Sequence, residues 1–201
     1  DDYMPYWPII WPSSLMLAEK IFTDQTAPPA LPQAPAADPF PAALDPIPPI
    51  PRAIELGCGL GLAGLAAASR GWHVTLTDYD PEAVEFAHHN ALRNGLSPDR
   101  LRAVQMDWRQ PLPDLFDWVI ASDVLYERRL HAPLLGAIRA LLATGGAAWI
   151  SDPQRTSAED FPLAAVEAGF RCASTNIEGR NFHGGVQPGT LHVLTWPARR
   201  P

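Results

Sequence analysis

Strand-like and helix-like patterns alternate along most of the chain after residue 52. Short apolar runs are typical of strands buried on both faces, and apolar residues recurring every three or four positions are typical of helices. The patterns predict strands at residues 53–56, 73–78, 101–106, 117–122, 147–151, 171–177 and 190–196. They predict helices at residues 60–70, 80–94, 132–143 and 159–168.

This alternation predicts the α/β class, with a Rossmann-like, seven-stranded, mostly parallel sheet that carries helices on both faces. Parallel neighbours need a crossover connection, which the predicted helices provide for most of the strands. Only a glycine-rich loop joins the last two predicted strands. A hairpin connection of this kind joins antiparallel strands, so we expect the last strand to run against the others.

The first 51 residues follow a different pattern. Residues 1–22 contain four aromatic residues within nine positions, and after Pro12 apolar residues recur at the spacing of a helix. Ten of the 24 residues at 28–51 are proline, which disfavours helices and predicts an extended linker. We therefore expect three parts: an N-terminal aromatic segment and helix (1–22), a proline-rich linker (23–51) and the main domain (52–201).

Composition and charge narrow the class of protein. The chain has 201 residues, of which 47% are hydrophobic and 18% charged, so it can bury a core and is not a disordered tail. Its net charge of −7 repels phosphate backbones and argues against nucleic-acid binding. Two cysteines are too few for a disulfide framework, and no apolar run approaches the length of a membrane span. We expect a cytoplasmic protein that does not bind membranes.

A glycine-rich segment, ELGCGLGLAG at residues 55–64, lies between the first predicted strand and the first main-domain helix. Glycine permits tight turns and close approach of the backbone to a ligand, so this context predicts a nucleotide-binding loop. Asp78 ends the next strand, where a carboxylate can accept hydrogen bonds from ribose hydroxyls. The GxGxxG spacing of residues 59–64 fits NAD, and the loop also fits S-adenosylmethionine.

Glu55 favours the second of these ligands. We expect its carboxylate beside the position of a pyrophosphate, where like charges repel by roughly several kcal/mol at an effective dielectric constant of about 20. S-adenosylmethionine has no phosphate, and its sulfonium and ammonium groups attract a carboxylate. A Tyr-x-x-x-Lys set for hydride transfer is also absent from the sequence, in which Lys20 is the only lysine.

These motifs resemble those of the class I, seven-strand S-adenosylmethionine-dependent methyltransferases. Residues 55–61 resemble the first motif of that superfamily, and Asp78 resembles the acid of its second. The Met-Asp-Trp sequence at residues 106–108 is similar to the acid and aromatic that flank the adenine. The resemblance covers residues 52–196 and implies S-adenosyl-L-methionine as cofactor, with S-adenosyl-L-homocysteine as product.

Three shorter signals resemble the seven-strand protein-lysine methyltransferases and their nicotinamide-methyltransferase-like relatives. Residues 121–127 (ASDVLYE) are similar to the Asp-x-x-Tyr signature after the fourth strand, and residues 6–14 (YWPIIWPSS) to a Trp-Pro-Ser/Ala motif near the N-terminus. Residues 151–155 (SDPQR) resemble the Asp-Pro-x-Arg turn of the electron-transfer-flavoprotein lysine methyltransferase branch. The Asn-Pro-Pro-Tyr motif of amide and nucleobase methyltransferases does not occur at residues 122–125, which favours an alkyl amine as acceptor.

The resemblance implies roles for individual residues. As candidate catalytic residues we predict Asp123, which would hold and orient the acceptor amine, and Tyr126, which would form a wall of the lysine channel. The predicted cofactor-binding residues are Trp11, Glu55, Gly57, Cys58, Gly59, Gly61, Asp78, Tyr79, Asp107, Trp108 and Ser122. The predicted substrate-binding residues are Asp152, Arg155, Arg180 and His183, and no metal ligand is predicted.

The function predicted from the sequence is methylation of a lysine side-chain nitrogen in a protein substrate, by a monomer. Three alternatives stay open, because a fold by itself does not decide a function. They are a small-molecule amine or carboxylate methyltransferase on the same scaffold, an NAD-dependent oxidoreductase, and a non-catalytic cofactor-binding module. The expected partner is accordingly a protein that carries a lysine, or a small amine.

Overall fold

The computed structural model describes residues 6–23, 50–180 and 184–196. The strands within these ranges are β1 (Arg52–Leu56), β2 (His73–Asp78), β3 (Leu101–Gln105), β4 (Phe116–Ser122), β5 (Leu142–Asp152), β6 (Arg171–Arg180) and β7 (Val186–Thr195). The α-helices are α1 (Pro12–Thr23), α2 (Leu62–Ser69), α3 (Pro81–Arg93), α4 (His131–Leu141) and α5 (Phe161–Glu167).

All seven strands form one sheet, in the order β3-β2-β1-β4-β5-β7-β6. The neighbours from β3 to β5 pair in parallel. β7 lies between β5 and β6 and is antiparallel to both, so that β6 runs with the central strands. The predicted seven-stranded α/β sheet with an antiparallel last strand is confirmed. The strand order reverses between β1 and β4, the place where such sheets bind ligands.

Helices cover both faces of the sheet. One apolar layer joins α4 and α5 to the face that carries Val119. The other joins α1, α2 and α3 to the face that carries Ile120, because successive side chains of a strand point to opposite faces. Trp118 lies in this second layer between Trp72 and Trp149, with its ring centroid 5.1 Å from each of theirs.

The boundary between α4 and β5 differs from the prediction. The sequence pattern continues the helix to residue 143, whereas α4 ends at Leu141 and β5 begins at Leu142. Leu142 has an extended backbone and pairs with Phe116 of β4. Pairing with a neighbouring strand thus extends β5 through Gly145 and Gly146, two residues that weaken a helix.

The N-terminal helix is part of the same core. Leu17, Ala18 and Ile21 of α1 pack with the α2 layer, and Met16 lies against Gly179 of β6 and Gly189 of β7. The helix ends at Thr23, one residue later than predicted. Residues 24–49 of the predicted proline-rich linker lie outside the described residues, so the division of the chain into three parts stays a prediction.

None of the helices within the described ranges has the length and apolar character needed to cross a bilayer.

α2 lies close to the sheet because the residues that face the sheet are small. Ala63, Gly64 and Ala67 are buried, and a Cβ atom on Gly64 would lie 2.2 Å from Leu76 Cδ2 and 2.7 Å from Glu55 Oε2. No side chain larger than hydrogen fits at residue 64. This close contact determines where the loop before α2 lies relative to β1 and β2.

We predict that Gly64→Ala lowers the free energy of unfolding by about 1 to 3 kcal/mol, the usual cost of overpacking a core. The matched control is Gly136→Ala in α4, where a Cβ atom meets nothing within 4 Å. Alanine there should raise the free energy of unfolding by about 0.5 to 1 kcal/mol. Chemical denaturation of both variants checks the prediction, and equal effects at the two positions would contradict it.

Candidate active site

A cavity of about 410 Å³ opens at the carboxyl ends of β1, β2, β3 and β4. Residues 6–11, called here the 6–11 segment, form one of its walls together with Ser14 of α1. The loops that follow the four strands form the others. The cavity therefore lies at the switch point of the sheet, where the topology favours a ligand site.

The glycine loop between β1 and α2 forms the base of the cavity. Gly57, Cys58 and Gly59 line it, and hydrogen bonds to β2 hold the loop in place: Cys58 N donates to Thr77 O at 2.8 Å and Gly59 N to Asp78 Oδ2 at 2.9 Å. Gly59 has a φ of +50°, a conformation that favours glycine. Its backbone is thereby exposed to the cavity without a side chain.

Asp78 lines the cavity at the end of β2. One carboxylate oxygen accepts from Gly59 N and the other from Asp80 N at 3.0 Å. Burial raises the pKa of this carboxyl, while the two backbone N–H groups oppose the increase. A carboxylate has about four acceptor positions, so Asp78 organises the glycine loop and retains positions for ribose hydroxyls.

Glu55 does not face the cavity, and the prediction that it selects the ligand by direct contact is wrong. Its side chain is 1% exposed, it is not among the residues that line the cavity, and Oε2 accepts from Gly64 N at 2.8 Å. Position 55 belongs to a central strand, whose side chains alternate between the two covered faces of the sheet. The side chain therefore points beneath α2.

The position of Glu55 still argues against a dinucleotide, for a different reason. Gly64 is the third residue of α2, and the amide groups of a helix's first turn are the natural site of a phosphate. The carboxyl of Glu55 already occupies Gly64 N, while Gly61 N donates to Cys58 O and Gly59 N to Asp78. Three amide groups of the glycine loop and of the first turn of α2 are thus already satisfied within the chain.

Burial also changes the protonation of Glu55. Its pKa is raised from 4.5 to about 8, mainly by loss of solvation, with the hydrogen bond from Gly64 N opposing the increase and the negative charge of Asp78 adding to it. The carboxyl is consequently protonated at neutral pH and carries no charge. It acts as a neutral cap of α2 rather than as an anion that attracts a sulfonium.

The loop after β3 forms another wall, with Asp107 and Trp108. Asp107 Oδ1 accepts from Arg109 N at 2.9 Å, which turns the chain directly after the strand. Trp108 lies against Gly57, where a Cβ atom would be 3.4 Å from the indole ring. A carboxylate and an indole on the same wall suit an adenine ring, which needs an acceptor at its amino group and an apolar face.

Asp123 follows β4 directly and has a φ of 56°, in the left-handed region that non-glycine residues rarely adopt. Asp123 N donates to Ser151 O at 2.9 Å, and Oδ1 accepts from Arg155 Nε at 2.5 Å. Oδ2 is buried and has no hydrogen-bond partner among the described residues. A strained backbone and an unsatisfied oxygen in a residue that lines a cavity are typical of a functional carboxylate.

Tyr126 lies at the mouth of the cavity, half-exposed, with its ring centroid 6.4 Å from that of Tyr6. Burial raises the pKa of the Tyr126 phenol, with smaller contributions in the same direction from Glu127 and Asp78. The phenol is therefore neutral at physiological pH. It can contact an aliphatic chain with its ring while its hydroxyl reaches solvent.

The structure brings most of the predicted site residues together. Those that line the cavity are Trp11, Gly57, Cys58, Gly59, Asp78, Tyr79, Asp107, Trp108, Ser122, Asp123 and Tyr126. Gly61 does not line it: a Cβ there would meet Leu76 and Ala87, so this glycine serves the packing of the loop. Burial raises the pKa of the Cys58 thiol well above its usual value, which argues against a nucleophilic role.

The three predicted substrate-binding residues that the structure describes do not line the cavity. Asp152 is buried, and its Oδ2 accepts from Arg155 N at 2.8 Å. Arg155 forms an ion pair with Asp123 and does not itself line the cavity. Arg180 is exposed at the end of β6, which β5 and β7 separate from β4, the nearest strand of the site. His183 lies outside the described residues.

Sequence reasoning missed several residues of the site. Trp7 lies against the glycine loop, since a Cβ atom on Gly59 would be 3.2 Å from Trp7 O. The ring centroid of Trp7 is 5.0 Å from that of Phe86 on α3. The two Trp-Pro pairs at residues 7–8 and 11–12 were the sequence signal that could have identified Trp7.

Within the described ranges, no group of three His, Cys, Asp or Glu side chains is arranged to hold a metal ion.

Comparison of the sequence with known proteins identifies a family and several relatives. Residues 8–167 match the sequence model of a family described as lysine methyltransferase. The chain is 35% identical over 121 residues to a ubiquinone biosynthesis O-methyltransferase of Xylella fastidiosa, covering 59% of this chain and 48% of the relative. It is 34% identical over 99 residues to a calmodulin-lysine N-methyltransferase of Arabidopsis thaliana, covering 45% of this chain and 33% of the relative.

Solved structures support the fold. A glycopeptide N-methyltransferase in complex with S-adenosyl-L-methionine superposes with a TM-score of 0.59 at 19% sequence identity, over 75% of this chain and 89% of that one. At this identity the likeness concerns the fold alone. The chain spans less than half the length of the two sequence relatives above.

We predict that Glu55→Gln flattens the dependence of stability on pH. Between about pH 4.5 and 8 the folded protein holds a proton on Glu55 that the unfolded chain has released. The free energy of unfolding should therefore fall as the pH rises through this range, by at most about 1.4 kcal/mol per pH unit. Glutamine keeps an acceptor for Gly64 N but carries no titrating proton.

Denaturation curves between about pH 5 and 8 measure the effect. Glu19→Gln is the control, because Glu19 is exposed on α1. This substitution should leave the slope of the free energy of unfolding against pH as it is in the native protein. The difference between the native protein and Glu55→Gln isolates Glu55 from the other titrating groups. Parallel curves for these two proteins would contradict the buried, protonated state of Glu55.

Proposed function

The chain belongs to the lysine methyltransferase family, and from this premise we propose that it transfers a methyl group from S-adenosylmethionine to a lysine amine of a protein. One observation carries the proposal: Asp123 lines the cavity, its Oδ1 is held by Arg155, and its buried Oδ2 has no hydrogen-bond partner among the described residues. An alkyl amine supplies the N–H donor that this oxygen lacks.

The residues around the cavity fit a nucleoside without phosphate. Asp78 would bind the ribose hydroxyls, Asp107 the adenine amino group and Trp108 the adenine face, above the backbone of the glycine loop. When bound, S-adenosylmethionine supplies an electrophilic methyl group on a positively charged sulfur. Among the described residues, five with carboxyl groups and two arginines line the cavity, and this charge balance favours a cationic ligand.

Asp123 and Tyr126 would prepare the acceptor. A lysine amine is mostly protonated at neutral pH and has no lone pair in that form. Asp123 Oδ2 would accept a hydrogen bond from the amine and receive the proton that the amine must lose before attack. Tyr126 would pack along the aliphatic part of the side chain and limit its sideways movement. Most of the rate acceleration would then come from positioning.

The mouth of the cavity supports a protein as the substrate. Tyr6, Ile9 and Tyr79 line the cavity while remaining 68%, 49% and 70% exposed. Tyr126 adds a fourth half-exposed apolar side chain at the same rim. Exposed apolar groups clustered around a functional cavity are typical of a surface that contacts another macromolecule. A small amine would need no such rim.

A small-molecule acceptor is the second candidate. It is favoured by the likeness to a protein whose name is ubiquinone biosynthesis O-methyltransferase. We also propose, as finer points, a cytoplasmic location, which the free thiols of Cys58 and Cys172 support, and a monomeric enzyme. The experiments below distinguish the two acceptor classes.

We predict that the protein binds S-adenosylmethionine and S-adenosylhomocysteine and does not bind NAD. Gly59→Val should weaken binding of both by at least about tenfold, since its side chain would displace the 6–11 segment at Trp7. Gly95→Val is the control, because Gly95 also has a positive φ but a Cβ there meets nothing within 4 Å. Titration calorimetry measures all three ligands, and tight binding of NAD alone would refute the assignment of the cavity.

We predict that Asp123→Asn retains the affinity for S-adenosylmethionine within about threefold and loses at least about 100-fold in methyl transfer. Asparagine tolerates the left-handed conformation at this position, so the loop should fold. The assay follows tritiated methyl groups from S-adenosylmethionine into the proteins of a lysate, and acid hydrolysis identifies methylated lysine. Asp160→Asn is the control, because Asp160 is an exposed residue that pairs with Arg128.

Two further arms make this assay decisive. Lys20→Arg removes the one lysine of this sequence on which the enzyme could label itself. An organic extraction separates labelled small molecules from protein. Label on protein lysines that disappears with Asp123→Asn supports the proposal, whereas label confined to the small-molecule fraction would support the second candidate instead.

A further inference from the structure

The Arg155 guanidinium lies against the one carboxylate to which the proposed chemistry assigns the acceptor amine. Its Nε donates to Asp123 Oδ1 at 2.5 Å, and the carboxylate side chain is only 2% exposed. The hydrogen bond to Asp123 raises the pKa of the guanidinium further, so the group stays charged. Arg155 itself does not line the cavity.

The two oxygens of Asp123 consequently have different roles. Oδ1 is occupied by Arg155, while Oδ2 is buried without a partner in the part of the chain that the structure describes. A carboxylate with both oxygens free could turn about its χ2 bond and present either oxygen. The ion pair removes that freedom and leaves Oδ2 as the single acceptor.

Arg155 is itself held by its own turn. Asp152 Oδ2 accepts from Arg155 N at 2.8 Å, and Gln154 has a φ of 61° in the same turn. A second contact joins the loops after β4 and β5, in which Ser157 Oγ donates to Leu125 O at 2.6 Å. These contacts place the guanidinium behind Asp123 with little freedom to reach the cavity.

The guanidinium also contacts the 6–11 segment. Its carbon atom lies 5.5 Å from the ring centroid of Trp11, within the range of a cation–π contact. Trp11 lines the cavity, and its Nε1 donates to Tyr6 O at 3.2 Å. Arg155 thus connects the carboxylate after β4 to the wall formed by the 6–11 segment.

We propose that Arg155 is a positioning residue for methyl transfer: it binds Asp123 Oδ1, directs Oδ2 to the acceptor amine and anchors Trp11 beside it. The proposal rests on the proposed function. It assigns Arg155 no contact with the substrate, because Arg155 does not line the cavity. Arginine suits the role better than lysine, since its planar group can donate to Asp123 and stack on Trp11 at the same time.

The test uses Arg155→Met and Arg155→Lys in the full chain. Initial rates of tritiated methyl transfer from S-adenosylmethionine to proteins of a desalted lysate, at increasing lysate concentration, give an apparent Vmax and KM. We expect Arg155→Met to lose about 10- to 100-fold in Vmax, as for a misplaced catalytic group. The apparent KM and the Kd for S-adenosylmethionine should stay within about threefold. Arg155→Lys should recover part of the loss because it keeps the charge.

A double-mutant cycle separates positioning from a merely structural role. In an Asp123→Asn background, Arg155→Met should reduce the residual rate by less than about threefold, because the group that Arg155 positions has lost its function. Arg102→Met is the matched control, since Arg102 forms an exposed ion pair with Asp114 on another part of the surface. Its rate should equal that of the native protein.

The outcomes that overturn the proposal are distinct. A raised apparent KM with unchanged Vmax, or a loss that persists undiminished in the Asp123→Asn background, would make Arg155 a substrate-binding residue. If Arg155→Met does not fold, the same criteria apply to Arg155→Lys. Native protein that transfers no methyl group would overturn the proposed function itself, whereas active native protein with Arg155 variants that match Arg102→Met would overturn only the role of Arg155.

Discussion

The hydrogen bond from Gly64 N to the buried Glu55 carboxyl determines much of what this site can bind. It joins the third residue of α2 to the central strand β1 at 2.8 Å, and it is possible only because residue 64 has no side chain. The contact occupies the amino end of α2, where a phosphate would otherwise be favoured. A loop with the spacing of a dinucleotide motif thereby favours a nucleoside that carries no phosphate.

The remaining polar chemistry comes from carboxylates at the ends of three strands. Asp78 is the last residue of β2, Asp107 comes shortly after β3, and Asp123 comes directly after β4. Each is held by hydrogen bonds from the chain, so that each arrives at the cavity with a defined orientation. Because parallel strands end at the same edge of the sheet, residues 45 positions apart in sequence meet around one cavity.

The acceptor side of the cavity depends on longer-range contacts. Arg155, after β5, reaches both Asp123 and Trp11, and the 6–11 segment approaches the glycine loop through Trp7. Helix α1 fixes this segment, since its buried face packs with α2 and against β6 and β7. The donor side is thus built from neighbouring strands, while the acceptor side requires the N-terminal helix and the β5 turn to come together.

The α/β class, the antiparallel last strand and the positions of Asp78, Asp107 and Asp123 could be predicted from the sequence alone. The class, the strand direction and Asp78 follow from local hydrophobic periodicity and from residues at strand ends, whereas Asp107 and Asp123 follow from the resemblance of short motifs to those of known methyltransferases. The direction of Glu55, the partner of Arg155 and the distance of Arg180 from the site could not. They depend on which face of the sheet a side chain meets and on how strands from distant parts of the chain are ordered, and only packing in three dimensions decides these.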